Sequence, residues 1–360
     1  MIGAFPVFVL GELLTPLAIP EQEQPVPNGY NDLLSAGEIA ARTRFDGTLD
    51  VELASAVQLQ AEVNKCQRVY EIVSRALGKP SAVPIDYKSE DSLLMDNPPA
   101  FRAIARALVG KARLAELEGR YDDASSCYRQ SVNLGYNIRR GGLLIHALVG
   151  MACSGIGANP LYHIRSELSE SERRRCIETL VRLDANDETF DEIWHRDRVW
   201  SQRAMGWHGH LKQILGDIGR QSFFLDPDTY PYHYWTHQAT IRLLICELAL
   251  ASFHRRHDRW PESLSELVPD YVAQVPIDPL DPNGAELRYR RGANDYVLYS
   301  VGPNCLDDGG ASPIEDDFPG MPETGDLRLD HYFAPDDELG EGSAGDDSNE
   351  TAETANTGDG

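Results

Sequence analysis

The sequence predicts an α+β protein: a mostly α-helical body built of helical hairpins, then a small module joining one long helix to an antiparallel sheet. Three observations carry that prediction. Through most of residues 49–235 apolar residues recur at helical spacing, with Gly and Pro between the runs. From Thr236 the pattern changes to one long apolar helix, an Asp-Arg-Trp-Pro break and two short strand-like runs. Charge then piles up at the end: residues 303–360 hold 17 Asp/Glu against one basic residue, Arg328, or about −16 of the formal −24.

A chain of 360 residues has length for two or three domains and a sizeable core. Its acidity argues against a nucleic-acid groove, which needs clustered Lys and Arg. The 28 Arg against 5 Lys reflect composition rather than a phosphate site. Six scattered cysteines with no CxxC signal neither a zinc ribbon nor a redox pair. Cys153 and Cys246 lie in apolar helical runs and read as buried free thiols.

Residues 1–48 read as an apolar segment followed by a polar, Pro-rich linker. The apolar part lacks a basic start, carries Glu12 and is interrupted by Pro6 and Pro16. That makes it a degraded or mis-started export signal or an interfacial anchor, a route to membrane association; the alternative is an apolar arm docked on the body.

The helical domain is expected over 49–235. Its first helix places Leu53, Val57, Val63, Val69, Ile72 and Leu77 at roughly helical spacing and stops at Gly78-Lys79-Pro80. The next helix turns at Gly119 into a second one opened by Tyr121-Asp122-Asp123. Ala112, Ala115, Ala124 and Tyr128 fall where one tetratricopeptide unit places its small and aromatic contacts, and the pair resembles such a unit. No second copy follows at the right period, so a plain helical hairpin is the simpler reading. Further helices follow, with a capping box expected at Ser169 and Glu172 and with Phe190, Ile193, Trp194 and Trp200 turned inward. His146, in an apolar run, reads as a core residue.

His208, His210, His233 and His237 form an H-x-H and an H-x-x-x-H pair, spacings that occur in metal sites. A metal-dependent hydrolase on this cluster is the alternative function. Against it, no glutamate follows His233 to act as general base, and Pro231 interrupts the run. There is no G-x-S-x-G, no phosphate-binding GxxxxGK[ST] and no GxGxxG following a strand.

The module is expected over 236–333. A helix from Thr236 to about His257 buries Ile241, Leu244, Ile245, Leu248, Ala251 and Phe253 along a broad face. Trp260-Pro261 breaks it, Ser263 caps a short helix, and residues 275–279 form an extended turn. Strands follow over 285–290 and 295–301, and residues 325–330 add a last edge strand. Residues 334–360 have too little apolar surface to offset their ordering entropy and are expected to be disordered.

Trp260-Pro261, Pro276-Ile277-Asp278-Pro279, Leu287-Arg288-Tyr289 and the run from Tyr296 through Ser300 to Gly302 together resemble the carboxy-terminal domain of type II secretion major pseudopilins. More widely, the chain is similar to large planctomycete proteins that join a long helical region to this ending, a likeness that implies no activity. The pseudopilin resemblance implies calcium in the loop after the second strand, bound by Asp307 and Asp308 with Asp316 and Asp317 downstream. The sequence departs from that pattern where Gly302-Pro303-Asn304-Cys305 replaces the family's acidic start, so the first acid arrives late at Asp307.

The function expected is a non-enzymatic structural or protein-interaction protein of the cell envelope or a periplasm-like compartment, with a calcium-stabilised module. A tetratricopeptide-type adaptor with a groove beside Tyr121 and Tyr128 is the third reading. Protein partners are expected and no nucleic acid.

Overall fold

The structure is a computed structural model and describes residues 17–89, 98–206, 230–311 and 325–334. Among the described residues the first helix, α1 (Gly29–Ala40), falls where a linker was expected. Asn28 starts it: Oδ1 accepts the Tyr30 N–H at 3.0 Å and the Ala82 N–H at 3.2 Å, so one side chain caps the helix and anchors it. Tyr30, Leu33, Ala36 and Ala40 are buried, and at Gly37 an added Cβ would come within 2.9 Å of the Ala100 side chain.

The single helix expected next is two. α2 (Ala56–Lys65) opens with a capping box between Ser55 and Gln58, and α3 (Gln67–Ala76) follows after Cys66, which leaves helical geometry at φ −92° and ψ 7°. Leu53 lies in the turn before α2, so counting a period from it sets the wrong phase. Leu53 and Val57 are 85% and 81% exposed, while Leu59, Val63, Cys66, Val69 and Val73 form the buried row.

α4 (Pro98–Leu117) and α5 (Tyr121–Arg139) form the expected hairpin, turning at Gly119 with φ +73°. Ala112, Ala115 and Ala124 are buried between the helices; Tyr128 is buried too, its hydroxyl on Glu116. α6 (Leu144–His163) then returns along α5 with the backbones almost touching. A Cβ on Gly135 would lie 2.2 Å from the Gly150 carbonyl oxygen, and one on Gly157 would lie 2.5 Å from that of Tyr128. Ser131 and Ser154 donate across the seam to the Cys153 and Val132 carbonyls at 3.0 and 3.2 Å. α6 is long and apolar enough to cross a membrane, yet 56% of its apolar window is buried inside the protein.

α7 (Glu170–Ala185) and α8 (Phe190–Ala204) complete the body. The box expected at the start of α7 is half made. Ser169 accepts the Glu172 N–H at 3.2 Å, but the Glu172 carboxylate turns inward to Ser125 at 2.8 Å and Arg129 at 2.9 Å. In α8, Ile193 and Trp200 are buried as expected; Phe190 and Trp194 are half-buried.

α9 (Tyr230–His257) runs unbroken through the boundary expected at 235/236. Between Ile241 and Leu250 it is buried around nearly its whole circumference rather than along one face. Cys176, Ile177 and Leu180 of α7 cover one side; Leu264, Leu267, Leu287 and Leu298, beyond the helix, belong to the same core.

After α9 the chain makes a 3-10 turn, Leu264–Leu267. Ser263 does not cap it: its hydroxyl is shared with Ser265, and the Glu266 carboxylate instead takes the Glu262 N–H at 2.5 Å. β1 (Arg288–Arg291) and β2 (Tyr296–Tyr299) pair antiparallel, with Arg288 opposite Tyr299 and Tyr289 opposite Leu298. One bridge, Ile277 to Glu286, flanks β1. The expected edge strand at 325–330 shrinks to one bridge, Ser300 to Leu327, before the chain curls into α10 (Leu329–Tyr332). Asp278 knots this module: its buried carboxylate accepts from Ser300 Oγ at 2.7 Å and from the N–H groups of Val301 at 2.8 Å and Leu280 at 3.0 Å.

Candidate functional site

The loop after β2 was the expected calcium site. Antiparallel pairing stands Arg288 and Tyr299 side by side on one face of the hairpin, and both reach Asp307. Tyr299 donates to Oδ1 at 3.0 Å and Arg288 Nε donates to Oδ2 at 3.2 Å; Oδ1 also accepts the Gly309 N–H at 3.0 Å. The Gly309 N–H foremost, with the Tyr299 hydroxyl and Arg288, holds the Asp307 carboxyl below the usual carboxylate range, against the opposing effect of burial. Asp308 accepts from the Asn304 amide at 2.9 Å. Asp326, absent from the expected ligand set, is fully buried and takes the N–H groups of Gly310 at 2.5 Å and Asp308 at 3.2 Å. Asp316 and Asp317 lie outside the described residues.

The described acids therefore use their oxygens on protein donors and do not open onto a shared cation position. Among the described residues no group of three or more His, Cys, Asp and Glu side chains converges. The half of the expected donor set that is described does not fit calcium as it stands, because hard-cation sites need several free oxygens facing one point.

No protein-family model, curated protein or solved structure matches this chain.

Of the four histidines, His208 and His210 lie outside the described residues. His233 and His237 sit one turn apart on α9, Pro231 notwithstanding, because the first turn of a helix needs no N–H from it. His237 packs 6.1 Å from the Tyr136 ring, with its Nε2 buried and without a hydrogen-bond partner. Burial and then Arg139 hold its imidazole well below its ordinary titration range. Burial also lowers His233. The nearby carboxylate, Asp187, is bonded to Arg139 at 2.6 Å and to the Tyr234 hydroxyl at 2.9 Å. The chemistry available here is a buried ion pair with aromatic packing. His146 likewise is a core residue: its Nδ1 accepts the Leu143 N–H at 3.1 Å, and burial takes it down to about 4. All six cysteines are unpaired, and five, Cys153 and Cys246 among them, are buried.

One feature escaped the sequence reading. Glu247, in the covered stretch of α9, accepts from Arg165 at 3.0 Å and from the Tyr296 hydroxyl at 2.6 Å, joining the α6–α7 connection to β2. A recess of about 440 Å³ lies at the turn between α4 and α5, lined by Arg120, Tyr121, Asp122, Glu167 and Arg255 among others. Tyr121 was expected at such a groove; Tyr128 is buried away from it.

Proposed function

We propose that this chain is a non-enzymatic structural or protein-interaction protein of the cell envelope, with its carboxy-terminal module fixed as a cap on the helical body. The coverage of α9 carries the reading. A pilin-type subunit must present its long helix to other copies, whereas here the stretch from Ile241 to Leu250 is covered by α7 on one side and by the module on the other. The apolar amino end and the pseudopilin resemblance support the envelope assignment. Fractionation of cells making the full chain and a chain lacking residues 1–16 tests it. Envelope retention that depends on those residues is expected. Recovery of the full chain in the soluble fraction would sink the envelope assignment. Metal-dependent hydrolysis lost in His233→Ala would replace the whole reading with the hydrolase.

One observation favours a second reading, the adaptor: the recess beside Tyr121 has mixed charge and would suit a charged peptide segment. A peptide-array screen in which Arg255→Glu removes the bound peptides selectively would favour it; an unchanged pattern would exclude this recess.

A further inference from the structure

The loop that resembles a calcium site has an internal cation beside it. Arg288 extends its guanidinium between two acidic turns that precede and follow the hairpin. Its Nη2 donates to Asp281 Oδ2 at 2.5 Å, its Nε to Asp307 Oδ2 at 3.2 Å, and its Nη1 to the Glu286 carbonyl oxygen. Two carboxylates and a carbonyl around one positive group is the kind of oxygen set that a hard cation would gather. A planar guanidinium meets it with fixed donors. The acids are built for this partner. Asp281 is locked by the N–H groups of Asn283 at 2.7 Å and Ala285 at 3.3 Å, and its side chain is only 5% exposed. Asp307 is oriented by Tyr299, the register partner of Arg288. Asp326 pins the far end of the loop through Asp308 and Gly310.

We propose that Arg288 is the structural cation of this module: it holds the 303–310 loop to the 278–284 turn and takes the place of a divalent ion. The sequence places it at the first residue of β1, and antiparallel register delivers it to Asp307, nineteen residues later. This inference does not depend on the envelope reading, which concerns α9 and the amino end.

Thermal unfolding of the full chain tests it, in chelator and in a few millimolar calcium chloride. Wild type is expected to melt at the same temperature in both. Arg288→Ala leaves two facing carboxylates unpaired and should melt about 4–8 °C lower in chelator. Calcium, but not magnesium at the same concentration, should recover part of that loss, because an ion that binds only the folded state stabilises it. If Arg288→Ala does not fold at all, the triple variant with Asp281→Asn and Asp307→Asn decides the matter. Removing the stranded charges should restore folding and abolish any calcium response. A calcium-specific rise in the wild-type melting temperature, lost in Asp307→Ala, would overturn the proposal in favour of a resident calcium ion. An Arg288→Ala protein as stable as wild type and indifferent to calcium would overturn it as well.

Discussion

Asp197→Asn should make this protein more stable at neutral pH. Asp197 projects from α8 to the start of α6, where its Oδ1 accepts the Leu144 N–H at 3.1 Å. It is 7% exposed, and burial outweighs that hydrogen bond, raising the carboxyl from 3.8 to about 6. At roughly 1.4 kcal/mol per pH unit, the charged form is about 3 kcal/mol less favourable in the folded chain than in the unfolded one. Because the folded value is the higher one, the associated stability is complete below about 3.8 and is lost as pH rises through about 6. Asparagine keeps the shape and the acceptor oxygen and never ionises. The two proteins should therefore be nearly equal in urea unfolding near pH 4. The variant should lead by about 1–3 kcal/mol at pH 7 to 8, the lower figure allowing for burial of the new amide. A lead that does not change with pH, or a variant weaker than wild type at pH 8, would refute the assignment of Asp197 as a buried, unneutralised carboxylate.

Glu247→Ala should cost about 3–5 kcal/mol, since it strands Arg165 and frees the Tyr296 hydroxyl at the seam between body and module; guanidinium unfolding measures it. Gly135→Ala should cost at least about 1–3 kcal/mol, because the new methyl group meets the Gly150 carbonyl. Gly155→Ala, on the same helix pair but with nothing within 4 Å of the added Cβ, should instead stabilise by about 0.5–1 kcal/mol. Comparing their melting temperatures separates close helix approach from helix propensity. Asn28→Ala should lose about 1–2 kcal/mol and raise amide exchange across α1 first.

The fold class was legible wherever one element carried its own signal. α9 is a long apolar run ended by Trp260-Pro261, and the α4–α5 hairpin turns on a Gly whose positive φ the motif requires. α1 was not legible, because its buried face is largely Ala and Gly and its neighbours are Pro-rich; the packing of Gly37 on Ala100 of α4, a residue distant in sequence, decides it. Leu53 and Val57 matched a helical period without lying on the buried face. In the acidic loop the sequence showed that carboxylates were present but not what each one faces. Arg288 and Asp326 reach their partners only through strand register and loop closure, which composition and spacing do not encode.

The central position of α9 also sets an order of events during synthesis. The apolar side of α7, with Cys176, Ile177 and Leu180, is complete on the ribosome once residue 185 has been added, but the helix that covers it ends at residue 257. At elongation rates of about 5–20 residues per second that interval is roughly 4–14 s, and the exit tunnel delays both helices equally. For that time a nascent body carries an uncovered hydrophobic face beside a finished α5–α6 pair. Chaperone occupancy on stalled nascent chains should therefore rise as α7 emerges and fall once α9, ending at His257, has emerged.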